Sequence, residues 1–277
     1  EESYVPPVGL GEVMRSSGIG RVVESRHPDF TVGDRVRGMM GWTEFYLSDG
    51  TGLSGVPDGV DEETVLSIFA LPGITAMKGL YGFGDPKAGE TLVVSGAAGS
   101  VGSLVGQLAK ADGLHVIGVA GDDEKCRWLV DDLGFDGAVN YKTDDVAAKL
   151  AELTPKGVDI YFENTGGAIQ HAVFDRMNAH GRIVVCGMIS DYNRTDNPNP
   201  ITNLWEMVSR QLTMQGFLLP TYQAKVPAAM AQLEEWIRAG KINVIENITQ
   251  GFANTPKAFC DLMSGKTVGK ALVKIDL

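Results

Sequence analysis

Cysteine is scarce in this chain. Its three cysteines, Cys126, Cys186 and Cys260, lie far apart, form no C-x-x-C pair and are odd in number. That excludes a disulfide scaffold and suits reduced thiols in a cytoplasmic setting. Histidine is as sparse: His27, His115, His171 and His180 are scattered, and no Cys/His cluster has the spacing of a zinc site, so no metal is expected. Basic residues run short too. Lys and Arg number 24 against 35 Asp and Glu, a net charge of −11. This balance speaks against a nucleic-acid partner and against an anionic membrane surface. Long apolar runs are missing as well. The most apolar stretch, Val65 to Met77, is interrupted by Pro72 and Gly73 and is too short to cross a bilayer. The charged start, Glu1-Glu2-Ser3-Tyr4, has none of the marks of a targeting segment. No internal repeat and no low-complexity tract occurs.

What remains is ordinary globular composition, 44% hydrophobic and 21% charged over 277 residues, a length suited to two domains. One stretch organises it. Thr91-Leu92-Val93-Val94-Ser95 makes a short buried strand, and Gly96, Gly99 and Gly102 follow at three-residue spacing. Val101, Leu104, Val105, Leu108 and Ala109 then recur at helical spacing. The start of that helix carries unpaired N–H groups and a partial positive charge, a ready site for a pyrophosphate. Ala97, Ala98 and the glycines keep side chains out of the way, with Ser100 and Val101 opening the helix. The spacing is G-x-x-G-x-x-G rather than the usual G-x-G-x-x-G. Without a ligand, the same glycines make a tight strand-to-helix turn.

Residues up to about 60 read as strands and turns: Gly20–Ser25, a turn from Asp29 feeding a strand to Val36, and an alternating Trp42–Leu47. Asp61 to Tyr81 predicts helix with a break at Pro72-Gly73. Strands and helices then alternate. Strands are expected at His115–Ala120, Gly137–Asn140, Val158–Phe162, Arg182–Cys186 and Gln211–Phe217. Helices are expected at Asp122–Leu133, Thr143–Leu153, Ala168–Met177 and Gln223–Ala239. Such alternation means an α/β fold with a doubly wound parallel sheet. The tail returns to strands, Val244–Thr249 and Ala271–Ile275, around a helix from Thr255-Pro256. The expected partition is a β-rich domain over 1–70 and 241–277, and a dinucleotide-binding domain over 71–240.

The end of the second sheet strand bears on the cofactor. An NAD site puts an acid there for the ribose hydroxyls. This strand ends Val119-Ala120-Gly121, with Lys125 one helical turn on and Tyr141-Lys142 ending the next strand. Gly121 leaves room for a 2′-phosphate and Lys125 can pair with it, which favours NADP over NAD. Asp122, Asp123 and Glu124 also fit a plain helix start, where acids are favoured.

Five segments in order carry a resemblance. They are Gly96-Ala97-Ala98-Gly99-Ser100-Val101-Gly102, Ala120 to Lys125, Asn140-Tyr141-Lys142, Phe162 to Gly167, and Cys186-Gly187-Met188-Ile189-Ser190-Asp191-Tyr192-Asn193. The chain resembles the zinc-independent medium-chain dehydrogenases/reductases, in the leukotriene B4 dehydrogenase/prostaglandin reductase group with its bacterial NADPH-dependent curcumin reductases. The resemblance implies a Rossmann domain, a β-rich GroES-like domain and NADPH as cofactor. It also implies roles. Asn164 and the Gly166-Gly167 turn would line the cofactor. Cys186 and Gly187, with Ile189 and Ser190 beyond them, would pass near the nicotinamide ribose. Phe217 and Leu218 would flank the nicotinamide, and Lys266 to Lys270, with Val268 and Gly269, would return to it. Two departures stand out. Family members begin with further strands, including a Pro-Tyr-Met-Arg segment, so the GroES-like domain is expected to be incomplete at its start. They also often carry Ser where this chain has Asp122, whose charge would oppose a 2′-phosphate.

The implied reaction sends hydride to the β-carbon of an enone, and negative charge then gathers on the carbonyl oxygen. A donor is needed there, and a proton for the α-carbon. Tyr192 follows the fifth strand and is the candidate; as a bland loop residue it would pack on Asn193 or on Pro198–Pro200. Met39, Met40, Trp42, Phe69, Met188, Leu218 and Tyr222 suggest an apolar pocket for a small hydrophobic enone or quinone, or ordinary core. A homodimer is expected, with a monomer as alternative. Quinone reduction is the close rival, and a non-catalytic nucleotide-binding regulatory protein the distant one. A zinc alcohol dehydrogenase lacks its ligands here, and a short-chain dehydrogenase lacks its Tyr-x-x-x-Lys.

Overall fold

The structure is a computed structural model and describes residues 6–56, 59–192, 200–219, 226–243 and 245–275. Asn193, Pro198, Tyr222, and the predicted starts of the strand at Val244 and the helix at Gln223 lie outside the described residues. By internal contact the chain forms two compact units. One holds residues 1–70, 246–267 and 271–277, the other residues 71–245 and 268–270.

The first unit is β-rich. Strands β1 (Ser17–Arg21), β2 (Arg35–Met39) and β3 (Ser54–Gly55) pair antiparallel in that order. Helix α1 (Glu62–Ser67) starts on Asp61, whose carboxylate accepts the Thr64 N–H at 2.7 Å. Trp42–Leu47, expected as a strand, is irregular. Alternation alone does not make a strand: the Trp42 N–H bonds the Met14 carbonyl at 2.9 Å, but no ladder continues from it among the described residues, and Phe45, Tyr46 and Leu47 are exposed.

The second unit is built on a parallel sheet. Its strands are β4 (Thr91–Ser95), β5 (His115–Ala120), β6 (Gly137–Asn140), β7 (Val158–Glu163), β8 (Met177–Val185) and β9 (Thr213–Gly216). Their spatial order is β6-β5-β4-β7-β8-β9. The helices are α2 (Leu71–Gly79), α3 (Ser100–Ala111), α4 (Asp123–Asp131), α5 (Val146–Leu153), α6 (Gly167–Phe174), α7 (Trp205–Ser209) and α8 (Val226–Arg238). Side chains alternate between the two faces of each strand. Val93, Ile117, Val119, Tyr161 and Ile183 share one core with Leu150 of α5 and Ile169, Val173 and Phe174 of α6. The opposite face meets α2 and α4: a Cβ on Gly79 would reach the Phe162 ring, and one on Gly118 would reach Leu129. Burying each of these large side chains contributes about 1.5–3 kcal/mol. Both faces are thus covered, the condition for a parallel sheet. The predicted break at Pro72-Gly73 falls earlier. Both residues sit in the first turn of α2, where proline's missing N–H costs no helical bond. A π-helical turn, Leu80–Gly84, continues α2.

The tail adds β10 (Glu246–Gln250), α9 (Thr255–Met263) and β11 (Lys270–Lys274), with β10 pairing β11. In the β-rich unit the Trp42 ring meets the Phe259 ring of α9 edge-on at 5.7 Å. Among the described residues no helix is long and apolar enough to cross a membrane.

Candidate functional site

Strand order reverses at β4, which has β5 on one side and β7 on the other. Ligands of such sheets sit at the carboxyl ends beside that reversal. The glycine turn leaves β4 there. Gly96 takes a φ of +60°, and the Gly99 N–H donates to the Gly96 carbonyl at 3.0 Å. Gly99 caps α3 with no side chain to serve the helix. The Ser103 N–H reaches back to the Gly99 carbonyl at 3.0 Å, so the N–H groups of Ser100, Val101 and Gly102 precede the helical ladder.

The two later glycines differ. A Cβ on Gly102 would stand 2.4 Å from the Gly96 carbonyl oxygen and 2.9 Å from Ala97 Cα, so this glycine lets α3 seat on the turn. A Cβ on Gly99 would meet that oxygen at 3.3 Å and nothing else within 4 Å. Open space over a helix start with unpaired donors is what a pyrophosphate requires, and these residues fit it. Ala97 and Ala98 are buried beneath. The returning segment arrives in the same unit: the Gly269 N–H donates to the Ala98 carbonyl at 2.8 Å, and Gly99 and Gly269 form a parallel bridge. Gly269 has φ +68° and a Cβ there would collide with the Ile245 carbonyl at 2.3 Å. Val268 precedes it, half-buried.

At the ends of β5 and β6, Ala120 is buried and its carbonyl accepts the Tyr141 N–H at 3.0 Å. A Cβ on Gly121 would come within 3.0 Å of the Tyr141 ring, so the room left by this glycine is bounded by that tyrosine. Lys125 is buried, and its ammonium lies 3.7 Å from an Asp122 oxygen. The other Asp122 oxygen accepts the Lys125 N–H at 2.8 Å and caps α4. Asp122 therefore acts through Lys125, as its counter-charge, as well as through its own field. Lys142 stands over the Tyr141 ring at 5.9 Å.

At the end of β7 the structure adds a residue to which the sequence had assigned no role. Glu163 is fully buried. Its carboxylate accepts the Ser95 hydroxyl at 2.8 Å, the Tyr161 hydroxyl at 2.7 Å, and the Thr165 and Gly166 N–H groups at 2.6 and 2.9 Å. Burial, and then the neighbouring Glu163 charge, push the Tyr161 phenol well above its usual range. Ser95 accepts in turn from the Asn164 N–H at 2.9 Å, and the Asn164 amide donates to the Ser95 carbonyl at 2.7 Å. One carboxylate thus locks the end of β4, where the glycine turn begins, to the Asn164–Gly166 turn. The visible trace of this in the sequence is an acid closing an apolar strand.

The β8 exit is tied to the same place. Cys186 and Gly187 donate their N–H groups to the Glu163 carbonyl at 2.9 and 3.1 Å. Ile189 bonds the Asn164 carbonyl at 3.1 Å and Ser190 the Thr165 carbonyl at 3.0 Å. Burial raises the Cys186 thiol to about 12, so it is a neutral packing group. Tyr192 folds back over this loop. Its hydroxyl oxygen accepts the Met188 N–H at 3.4 Å and sits where a Gly187 Cβ would be 2.9 Å away. The residue is 53% exposed. Phe217 follows β9 and faces Phe83 at 5.4 Å, with Leu218 exposed beside it. Of the apolar pocket candidates, Met188 places its methyl against Gly166; in the β-rich unit Met40 lies under Gly18 and Gly20, and Met39 is exposed. Among the described residues no three His, Cys, Asp or Glu side chains gather to hold a metal.

Known proteins share this arrangement. The zinc-binding dehydrogenase family matches residues 100–235, and an N-terminal domain of oxidoreductases matches residues 1–56. The NADPH-dependent curcumin reductase of Escherichia coli is 41% identical over 281 residues, covering 99% of this chain and 81% of that protein. Prostaglandin reductase 1 of Sus scrofa is 41% identical over 270 residues, 95% of this chain and 82% of that one. The crystal structure of CurA with NADPH from Vibrio vulnificus superposes with a TM-score of 0.94 at 39% identity, covering 100% of this chain and 84% of that chain. The chain belongs to the zinc-binding-dehydrogenase type of the medium-chain dehydrogenase/reductase family, in the group of the curcumin and prostaglandin reductases.

Proposed function

We propose that this chain is an NADPH-dependent reductase of the carbon–carbon double bond in α,β-unsaturated ketones and aldehydes. The observation that carries it is the open, uncapped start of α3 at the strand-order reversal, in a chain so similar to curcumin and prostaglandin reductases. Bound NADPH supplies a hydride for the β-carbon of the substrate. The nucleotide-binding domain, expected over 71–240, takes in 241–245 and 268–270 as well; 1–70 with 246–267 and 271–277 make the GroES-like part. Gly99, Ser100, Val101 and Gly102 hold the pyrophosphate on their N–H groups, over a floor of Gly96 and Ala98. Lys125 takes the 2′-phosphate beside Gly121 and Tyr141, with Ala120 ending the strand that brings them. Asn164, Gly166, Cys186, Gly187, Ile189 and Ser190 line the ribose, and Phe217, Leu218, Val268 and Gly269 the nicotinamide end.

Tyr192 is the proposed catalytic donor. Its hydroxyl already accepts from Met188, which leaves its own proton to give. Directed at the substrate carbonyl, that proton stabilises the oxygen as charge gathers on it. The α-carbon then takes a proton from the tyrosine, from the ribose hydroxyl or from water. Free Cys126, Cys186 and Cys260 support a reducing, cytoplasmic setting. A homodimer is supported by β9: among the described residues β8 is its sole strand partner, and Leu204, Trp205 and Val208 just before it are exposed.

The test is steady-state turnover of enones, alkenals and quinones with NADPH and with NADH. Enone turnover with NADPH well above quinone turnover is expected. For Tyr192→Phe, kcat should fall by up to about 10²-fold with little change in KM. Preference for quinones would replace the reading, and an unchanged kcat with a deuterated-NADPH isotope effect would remove Tyr192 from the chemistry.

A further inference from the structure

Gln107 is a buried amide to which the reading above gives no part. It sits on the inner side of α3, beside Leu104, Val105, Leu108 and Ala109, and is 4% exposed. An amide offers a donor and an acceptor together. Here both go to one residue of a distant segment. The Gln107 Oε1 accepts the Asn243 N–H at 2.6 Å, and its Nε2 donates to the Asn243 carbonyl at 3.3 Å and to the Ser103 carbonyl, one turn back, at 3.2 Å. Two residues after Asn243, the Ile245 carbonyl accepts the Lys270 N–H at 2.9 Å. The same carbonyl bounds Gly269, where a Cβ would meet it at 2.3 Å. Gly269 in turn donates its N–H to the Ala98 carbonyl at 2.8 Å, in the glycine turn from which α3 starts. All these residues belong to the second unit. The return segment is therefore tied to α3 at two places. One is the turn before the helix. The other lies about two turns along it and runs through Gln107, Asn243 and Ile245.

We propose that Gln107 positions Val268 and Gly269 for the nicotinamide half of the cofactor. This rests on the assignment of those two residues to the nicotinamide end. The bond from Gly269 to Ala98 fixes one point of the segment, and a chain held at one point can turn about it. The clamp on Asn243 supplies the second point by holding the stretch that carries the Ile245 carbonyl. Packing alone does not call for an amide at this place. An apolar side chain would sit as well beside Leu104 and Leu108, but it would leave the Asn243 N–H and carbonyl without this partner. Gln107 acts through Asn243 and Ile245 rather than on reacting atoms, so it is a positioning residue and not a catalytic one.

The test compares NADPH with adenosine 2′,5′-bisphosphate, which lacks the nicotinamide half. Both are titrated calorimetrically into the parent protein and into Gln107→Met, whose side chain keeps the length and removes the bonds. NADPH affinity should fall about tenfold, and the bisphosphate should bind as before. Unchanged NADPH affinity in Gln107→Met overturns the proposal, as do equal losses for both ligands, which mean that α3 has lost its packing. The coupling must also run the other way. In the parent, NADPH should slow hydrogen exchange in peptides that hold Asn243 and Gly269, and the bisphosphate should not. This decides the matter should Gln107→Met not fold, as judged by its melting curve. Exchange unmoved by NADPH, or slowed as much by the bisphosphate, overturns the proposal. A parent that binds no NADPH removes the NADPH reading itself, a result distinct from these.

Discussion

Removing the Glu163 carboxylate tests whether one buried group joins the glycine turn to the turn after β7. Five donors converge on it, the Ser95, Tyr161 and Thr165 hydroxyls and the Thr165 and Gly166 N–H groups. In Glu163→Ala the three hydroxyls can swing toward other acceptors, but the two backbone N–H groups cannot. Each buried donor left without a partner costs about 1–3 kcal/mol, so the fixed loss is about 2–6 kcal/mol, with a cavity cost on top. That is a large part of the roughly 5–15 kcal/mol by which a domain is stable. For a unit of this size about 1 kcal/mol moves Tm by roughly 2–4 °C, so Tm should fall by about 5–20 °C. Glu163→Gln keeps an oxygen for Ser95, Thr165 and Gly166 and turns an amide toward Tyr161, whose hydroxyl can accept. It loses only charge assistance, about 1–2 kcal/mol, or roughly 2–8 °C. Thermal melts by circular dichroism, with and without NADPH, measure both. The ranking is the firm part: Gln milder than Ala, and both with weaker NADPH binding because Asn164 and Gly166 lose their anchor. Melting of Glu163→Ala within 2 °C of the parent would refute the reasoning.

Gly102→Ala should lower Tm by roughly 5 °C or more, because its Cβ meets the Gly96 carbonyl at 2.4 Å, whereas Gly99→Val should fold and lose NADPH affinity; melting curves and calorimetry separate the two effects. Lys125→Ala should weaken NADPH by about 1–3 kcal/mol and leave NADH alone. Asp122→Ser keeps the cap on α4 and removes the counter-charge of Lys125, so it should tighten NADPH; equal changes for the two cofactors would count against the 2′-phosphate assignment. Burial alone would raise the Glu90 carboxyl, but its bonds to Arg182 and the Lys87 N–H hold it below the usual range. Its contribution to stability is therefore present above the unfolded value of about 4.3 and lost as pH falls toward the folded one; Glu90→Gln should flatten that acid limb in pH-dependent melts.

The parallel sheet was legible because β4, β5 and β7 are largely apolar, buried runs, and β5 and β6 have the predicted ends. The β-rich unit was not. Its first strand is Ser17–Arg21, whereas the sequence favoured Gly20–Ser25: Gly18 and Gly20 weaken the pattern, and Ser17–Arg21 is fixed by its register with Arg35–Met39. Helix α7 was missed because its one exposed turn and a half, Trp205–Ser209, leaves no periodicity to read. Pro72-Gly73 predicts a break because a proline inside an apolar helical run interrupts it, but a proline at the second position of a new helix does not.

The site divides along another line. Positions with a backbone requirement show in the sequence, since only glycine can stand where a Cβ would meet a carbonyl, as at Gly102 and Gly269. Polar networks do not show. Ser95 and Glu163 are 68 residues apart, and each alone reads as a strand end. Lys78 reads as a polar position on a helix until Phe83, Phe217 and the Leu218 carbonyl, up to 140 residues away, are found around it. Both are charges set in apolar runs, and that local conflict was the one trace available. A charge that interrupts an otherwise consistent apolar pattern weakens packing unless something compensates it. For Glu163 the compensation is five donors, and its consequence is the geometry of the turns around the cofactor. For Lys78 the surroundings include two ring faces and the Leu218 carbonyl at 3.5 Å, which tie the end of α2 to the β9 exit.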